Sequence, residues 1–388
     1  MLPKLFRPLA IIGPHSVNAP RGNGLTYNDA GVDYSKIDPL KIDAQRAARE
    51  TAGNLRHHGL IEITASRGES AYVVDMGDFL LASITECLGT KVLIADAMRP
   101  ITGKTYFDSL AQDTLAMAIN DIITVGATPI SVQAYWAAGS SKWFDDKQRA
   151  RDLVQGWKAA CDRCNVAWGG GETPSLGGVV NPNTIDLAAS CIGIVRPKER
   201  LTIADKLSVN DEIVLLASSG IHANGVSLAR KVAADTPAGY TAKLSDGRLY
   251  GDALMDPTVL YSPVTEALFA AGIIPHYCAN ITGHGWRKLM RHPAAFTYRF
   301  AKIAPVPPVL AYLQHAAGMS DADAYGTFNM GAGFALFIDP AHAEKTVAVA
   351  KAAGIEAWVA GRVEAGPKSV VIEPIGVTYT DADMHLRA

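Results

Sequence analysis

Apolar residues recur at helical spacing over residues 109–129 and leave one face of the predicted helix polar. The apolar face gathers Leu115, Ile119, Ile122 and Ile123. At about 100° per residue, Asp113 and Asn120 fall almost in line on the opposite face, with Asp121 beside them. Gly126 and the proline that follows end the helix, and a strand is predicted over 130–137. The polar face is open to two interpretations, a solvated surface or a binding site.

Similar patterns fill the rest of the first half with alternating helices and strands. Helices are predicted over 43–55 and 146–164, and strands over 61–64, 71–74, 80–85, 166–168 and 186–195. Residues 92–97 fit either a continued strand or the start of a helix.

The pattern restarts around 196–209, where we place a domain boundary. Beyond it, strands are predicted over 212–217, 334–338, 357–363 and 369–372, and helices over 226–233, 263–271, 309–317 and 341–353. Residues 236–256 are predicted to be a polar loop, and residues 277–291 a turn followed by a helix. The length of 388 residues favours two domains, and the mixed elements predict two α/β or α+β layers. The predicted domains cover 26–200 and 201–388, after an irregular arm over 1–25.

Composition narrows the class of function. Apolar residues make up 48% of the chain and charged residues 19%, which allows a packed core throughout. The formal net charge of −2 argues against a nucleic-acid binder, and no apolar run reaches the length of a membrane span. Five cysteines without a framework spacing suit a reducing cytoplasm. Cys161 and Cys164 form a CxxC on a predicted helix, where a structural role and metal or redox chemistry both stay open.

Three glycines follow the predicted strand over 166–168 and lead into Glu172 and Thr173. Gly170 and its neighbours would let the backbone approach a ligand and turn its N–H groups outward, as phosphate sites require. Glu172 would then be available to a metal ion. A tight turn with a solvated glutamate explains the same residues, so both interpretations stay open.

A second turn follows the predicted strand over 80–85 and runs from Glu86 through Gly89 and Thr90 to Lys91. It is shorter than a Walker A loop, and the GxxxxGK[ST] pattern is absent. Its carboxylate suits Mg²⁺ and its lysine suits phosphate. Because Mg²⁺ usually takes one or two protein carboxylates plus phosphate oxygens, Glu86 and Asp113 would make a suitable pair.

Residues 218–225 end a strand and open a helix in the second half. Backbone N–H groups and the helix dipole at such a position suit an anion. His222 in this loop would donate to a phosphate or act as an acid or base near neutral pH. A structural role is the alternative for a lone histidine.

Taken together, several motifs resemble those of the phosphoribosylformylglycinamidine cyclo-ligase family, also called AIR synthetase. In chain order they are TYNDAGVD, LGTK, DTLAMAINDIITVGATP, GGGET, ASSGIHANGVSLARK, NITGHG, VPPVLAYLQHAAG and TFNMGAG, between about residues 26 and 363. The resemblance implies a PurM-like N-terminal α/β domain, whose strands join a partner's in a homodimeric barrel, and a PurM-like C-terminal α+β domain. It also implies that Mg-ATP and a phosphoribosyl substrate bind in the cleft between the domains.

The resemblance implies a role for each matching residue. His222, Lys91 and His284 are expected in catalysis, and Glu86, Asp113 and Glu172 as metal ligands. The expected ATP contacts are Glu86, Gly89, Thr90, Lys91, Asp113, Asn120, Gly170, Gly171, Glu172 and Thr173. The expected substrate contacts are Ser219, Gly220, His222, Asn224, Asn280, Thr282, Gly283 and Asn329.

The chain departs from the family pattern at expected ligand contacts. Glu86 replaces an aspartate, Asn28 a lysine and Asn280 a histidine. His284 stands where a glycine is usual, and residues 66–72 read SRGESAY in place of a glycine-rich segment. 

Three functions therefore stay open. The first is ATP-dependent ring closure of formylglycinamidine ribonucleotide to aminoimidazole ribonucleotide in purine biosynthesis. The second is a sister enzyme that uses ATP to activate another amide or acid oxygen. The third is a nucleotide-binding protein without turnover.

Overall fold

The computed structural model describes residues 24–25, 28–31, 34–203 and 205–383. The arm predicted over 1–25 therefore lies almost wholly outside the described residues, as does the side chain of Asn28. None of the described helices is long and apolar enough to cross a membrane.

The first half forms a six-stranded sheet with helices packed against it. Its strands are β1 (Ile61–Glu62), β2 (Tyr72–Asp75), β3 (Leu80–Cys87), β4 (Thr128–Ala138), β5 (Ala167–Glu172) and β6 (Ile185–Val195). Their order across the sheet is β1-β2-β3-β6-β4-β5, and only the β4–β5 pair of this order is parallel. The helices are α1 (Tyr34–Glu50), α2 (Val92–Thr102), α3 (Phe107–Ile122) and α4 (Lys147–Arg163).

Helix α3 is the amphipathic helix predicted from the sequence, and it is buried on both faces. Contacts with β3 and β6 place it on the first sheet. A Cβ on Gly126, which ends the segment with a φ of +79°, would lie 2.0 Å from the carbonyl oxygen of Arg200. The polar residues Asp113 and Asn120 are 0% and 1% exposed and contact the second half. A solvated polar face is therefore excluded for these two residues.

The second half forms another sheet, with the order β13-β12-β9-β11-β7-β10-β8. Its strands are β7 (Glu212–Ala217), β8 (Tyr277–Asn280), β9 (Phe296–Phe300), β10 (Ala332–Ile338), β11 (Ala357–Ala365), β12 (Ser369–Ile372) and β13 (Val377–Thr380). The helices are α5 (Val226–Asp235), α6 (Tyr250–Leu254), α7 (Ser262–Ala270), α8 (Pro308–Ala316), α9 (Asp321–Tyr325) and α10 (Ala343–Ala352). Strands and helices mix in both halves, which confirms the predicted fold class.

Several local predictions were wrong. The glycines after residue 168 lie within β5 and not in a turn after it. Residues 236–256 contain α6, whose Tyr250 is fully buried, because packing against α2 and α8 stabilises a helix of this length. Strands β9 and β13 and helix α9 were not predicted, α1 begins before residue 43, and the ambiguous residues 92–97 belong to α2.

Candidate functional site

Lys91 and Asp113 of the first half form an ion pair where this half contacts the second, and both side chains are fully buried. Lys91 Nζ lies 2.7 Å from Asp113 Oδ2. The same ammonium donates to the backbone carbonyl oxygens of His222 at 2.9 Å and Asp256 at 3.0 Å. These oxygens match the three donors of an ammonium group, so Lys91 has no donor left for a phosphate.

The other oxygen of Asp113 is also occupied. Asp113 Oδ1 accepts from the backbone N–H of Thr258 at 2.7 Å and from its hydroxyl at 2.5 Å. About two turns further along α3, the Asn120 side chain accepts a hydrogen bond from Tyr261 N at 3.0 Å. It also donates one to Val259 O at 2.8 Å. We call Lys91, Asp113, Asn120 and Thr258 the buried seam. Its side chains join the two halves.

Thr90 and Gly89 stand at the outer end of this seam. Thr90 Oγ1 lies 3.1 Å from Ser227 Oγ of α5, which adds a further contact between the halves. Gly89 is exposed with a φ of +75°. The predicted nucleotide role of the turn rests on these two residues, since Lys91 is enclosed.

His222 is buried against the seam in the left-handed region, with a φ of +61°. Its Nε2 accepts from the backbone N–H of Ser219 at 3.2 Å. Burial, and then the positive charge of Lys91, lower the pKa of His222 to about 3. The imidazole is therefore neutral at physiological pH and accepts this hydrogen bond. Such an arrangement favours a role in positioning the loop over a role in proton transfer.

Asn329 holds the same loop from the other side. Its Nδ2 donates to Gly220 O at 2.8 Å, and its Oδ1 accepts from Ser218 Oγ at 2.8 Å. Ser219 Oγ donates to Pro257 O at 2.6 Å. Asn224 is half-buried, with Nδ2 at 3.7 Å from Met117 Sδ. These expected substrate contacts are thus part of the loop's own hydrogen-bond framework.

A second polar group, which we call the cleft cluster, consists of Glu86, Asp121, Asn280, Thr282 and Lys288. Asn280 Nδ2 donates to Asp121 Oδ1 at 2.7 Å, and Lys288 Nζ donates to Thr282 Oγ1. Burial, and then the negative charge of Asp121, raise the pKa of Glu86 to about 7. Burial lowers the pKa of Lys288, against the opposing effect of Asp121. The cluster brings two carboxylates and a cation together between the halves.

His284 begins the short helical turn Gly285–Met290 that carries Lys288. Its φ is +70°, and it is half-buried, as is Gly283 before it. Burial, and then the charges of Arg287 and Lys288, lower the pKa of His284 to about 4. His284 is therefore uncharged near neutral pH.

Glu172 lies far from the cleft cluster. Glu86 pairs with Ala189 of β6. Ala189 pairs with Ala134 of β4, and Ala134 with Gly171 of β5. Glu86 is therefore three strand spacings from β5, the edge strand of the sheet. At about 4.8 Å per spacing, this distance is about 14 Å. Strand β5 is exposed along its length, and a Cβ on Gly171 would lie 2.0 Å from the carbonyl oxygen of Ala134. Gly171 thus permits the close approach of two strands.

The three side chains expected as metal ligands, Glu86, Asp113 and Glu172, do not come together in the described residues. Asp113 is enclosed in the buried seam by Lys91 and Thr258, and Glu172 lies at the end of a distant, exposed strand. Their role as metal ligands stays a prediction. In the described part of the chain, no group of three or more His, Cys, Asp or Glu side chains is placed to hold a metal.

A cavity of about 880 Å³ lies against the first sheet, and none of the cleft-cluster residues lines it. It is lined by α1, residues 66–72, β3, β6 and Arg291. Thr85 contributes to the lining, and alternation along β3 places it on the face opposite Glu86. Arg291 donates to Gly68 O at 2.8 Å and to Ser70 Oγ at 2.7 Å, which fixes the SRGESAY segment to the second half.

Sequence reasoning missed Lys288, Arg291 and Thr258. Lys288 stands four residues after His284 in a segment predicted to be helical, so helical spacing was an available signal. Asp121 was identified on the polar face of α3 but was not included among the expected ligands. Thr258 carried no signal, because its contact with Asp113 spans 145 residues of chain.

Solved structures with the same fold include hydrogenase maturation protein HypE in complex with ATP, with a TM-score of 0.56 and 17% identity. That match covers 77% of this chain and 83% of HypE. Thiamine-monophosphate kinase from Stenotrophomonas maltophilia has a TM-score of 0.54 and 15% identity, over 79% of this chain and 90% of the kinase. At these identities the likeness shows the fold alone, and it confirms the predicted PurM-like architecture.

Family models and relatives are more specific. The model of the AIR synthase related protein N-terminal domain matches residues 68–195, and that of the C-terminal domain residues 208–373. The phosphoribosylformylglycinamidine cyclo-ligase of Methanocaldococcus jannaschii is 34% identical over 347 residues, or 87% of this chain and 92% of the relative. The enzyme of the same name from Carboxydothermus hydrogenoformans is 32% identical over 357 residues, or 90% and 98% of the two chains. These matches over both halves show that the chain belongs to the phosphoribosylformylglycinamidine cyclo-ligase family of AIR synthase related enzymes.

Proposed function

We propose that this protein converts formylglycinamidine ribonucleotide to aminoimidazole ribonucleotide, with ATP activating the formamide oxygen. The observation that carries the proposal is the cavity of about 880 Å³ enclosed by α1, residues 66–72, the first sheet and Arg291. Its volume suits a nucleotide, since ligand pockets commonly span about 300–1,000 Å³. The names of the relatives supply the reaction.

The chemistry explains why ATP is needed. Ring closure expels the formamide oxygen, which is a poor leaving group. Transfer of the γ-phosphoryl group breaks its bond to ADP and forms a bond to that oxygen. Attack of the amidine nitrogen on the formyl carbon then releases the oxygen with inorganic phosphate. Catalysis of such a transfer consists mainly of positioning and charge stabilisation.

In our proposal the cavity binds ATP and the cleft cluster binds the reacting end of the substrate. The cavity holds ATP, as supported by the ATP named with a structure of the same fold. The triphosphate end points toward Lys41 and Arg291, because both line the cavity and act electrostatically on Glu86 and Lys288. The formyl end of the substrate enters from the cleft cluster, between the two halves.

Glu86 and Asp121 are the carboxylates that fit a magnesium ion. Burial, and then the negative charge of Asp121, raise the pKa of Glu86, and a divalent cation would relieve the repulsion between the two carboxylates. When bound there, Mg²⁺ would neutralise charge on the phosphates. Asn280 would hold Asp121 in orientation through its hydrogen bond. This assignment replaces Asp113 by Asp121, its neighbour on the polar face of α3.

The test of the proposed function incubates purified protein with ATP, magnesium and formylglycinamidine ribonucleotide. Aminoimidazole ribonucleotide should form with an equal amount of ADP, and neither should form when the ribonucleotide is omitted. ATP consumption without aminoimidazole would favour the sister-enzyme hypothesis. ATP binding without any turnover would leave the nucleotide-binding hypothesis.

Filling the cavity should block ATP. Replacing Thr85 by phenylalanine puts a ring into the cavity, and we expect at least about a tenfold loss of ATP affinity by calorimetry. Thr378→Phe is the matched control, because Thr378 is an exposed residue on β13 of the other sheet. Equal ATP affinity in the two variants would contradict the proposal that ATP binds in this cavity.

We also propose a homodimer through the N-terminal domain, with the domains divided near residue 200. The support is the family resemblance and the apolar side chain of Ile130, which is 40% exposed on the first sheet. Light scattering at micromolar concentration should give twice the chain mass of 41.1 kDa. A mass of one chain at that concentration would contradict this prediction.

A further inference from the structure

Lys288 carries hydrogen-bond donors that its surroundings do not fill. An ammonium group has three donors, and the one hydrogen bond of Lys288 within the described residues goes to Thr282 Oγ1. No carboxylate in that part of the chain forms an ion pair with it, although Asp121 and Glu86 lie within electrostatic range. Lys91, in contrast, has an oxygen partner for every donor. The half-buried Lys288 is therefore equipped to receive another ligand.

Asn280 and His284, which lie on the same turn, do not supply a positive charge to the cleft cluster. Asn280 stands where the family pattern has a histidine, and its amide donates to Asp121. His284 is uncharged near neutral pH, because burial and the neighbouring cations lower its pKa to about 4. Arg287 donates to the backbone oxygens of His284 and Gly326, whereas Lys288 contacts the turn through the Thr282 side chain.

Lys288 also stands close in sequence to a residue of the proposed nucleotide cavity. Arg291 follows three residues later and lines that cavity, as does Lys41 of α1. Both act electrostatically on Lys288. Lys288 and these two cavity-lining cations therefore contribute positive charge to the same region of the protein.

We infer that Lys288 binds a phosphoryl oxygen in the cleft between the two halves, an inference that rests on the proposed function. In that reaction two groups carry this chemistry, the terminal phosphoryl group of ATP and the 5′-phosphate of the ribonucleotide. Hydrogen bonds between an ammonium and a phosphate are charge-assisted and stronger than neutral ones. The free donors of Lys288 suit either group.

Calorimetric titrations with pyrophosphate and with ribose 5-phosphate separate the two sources. Lys288→Met should lower the affinity for one probe by at least about tenfold, the effect of losing one hydrogen bond to a charged group. A loss confined to pyrophosphate assigns Lys288 to ATP, and a loss confined to ribose 5-phosphate assigns it to the substrate. Lys288→Arg should retain part of the affinity because it keeps the charge.

The matched control is Lys351→Met on α10, where Lys351 pairs with Glu356 at 3.7 Å. Thermal unfolding verifies that each variant is folded, and Lys288→Gln provides a second neutral replacement. The inference is overturned if neutral variants bind both probes like the wild type, or if the wild type binds neither. Because these titrations need no turnover, a wild type that binds a probe through Lys288 but forms no aminoimidazole would contradict the proposed function alone.

Discussion

Replacing Lys91 by methionine should lower the free energy of unfolding by about 3–5 kcal/mol, because Asp113 would remain charged and unpaired in a fully buried position. Asp113→Asn should lower it by a comparable amount, since the Lys91 ammonium would lose its counter-charge. Denaturant unfolding measures both effects. The expected loss follows from the seam between the halves and needs no nucleotide.

The double variant Lys91→Met/Asp113→Asn is expected to lose less stability than the sum of the single variants, because neither remaining group is a buried lone charge. Lys158→Met is the control: Lys158 pairs with Asp162 on the surface at 2.6 Å, and its loss should leave the stability close to that of the wild type. If the Asp113→Asn variant kept full stability and lost only ATP affinity, Asp113 would have to be interpreted as a nucleotide ligand.

His222→Ala should reduce turnover by about a hundredfold, because the loop over 218–225 would lose the acceptor for Ser219 N, and small misplacements near a reacting centre have effects of this size. His222→Gln should recover part of the activity. The longer glutamine side chain places its amide oxygen near the position of Nε2, where it can accept the hydrogen bond from Ser219 N. Equal loss in the two variants would indicate that the imidazole transfers a proton.

The pH dependence of stability offers a separate check on His222. The unfolded chain binds a proton at the ordinary pKa of 6.5, whereas the folded chain binds it only near 3. Stability linked to this group is therefore complete above pH 6.5 and is lost as the pH falls from 6.5 toward 3. His222→Asn should weaken that dependence, as measured by unfolding at a series of pH values.

The sequence was most informative for elements whose structure depends on their own residues and not on distant partners. The apolar spacing of α3 and the glycine that ends it were sufficient to predict the helix. The family motifs predicted the architecture of both halves. Asp113 illustrates the limit: its position on the polar face was predictable, but its partners Lys91 and Thr258 were supplied by distant segments.

The candidate site was harder to predict for the same physical reason. A glycine-rich strand and a glycine-rich phosphate turn have similar sequences, and only the approach of β5 to β4 distinguishes them at Gly171. Asp121 and Asp113 lie at different angles around the axis of α3. The second half determines which of these carboxylates is saturated and which faces the cleft.

The path of the formamide oxygen tests the central claim most directly. Formylglycinamidine ribonucleotide carrying ¹⁸O in its formyl group is incubated with the protein, ATP and magnesium in ordinary water, and the released phosphate is analysed by mass spectrometry. Phosphorylation of that oxygen predicts one ¹⁸O atom in each inorganic phosphate formed with aminoimidazole ribonucleotide. Unlabelled phosphate accompanying the same product would contradict ATP-dependent activation of the formamide oxygen.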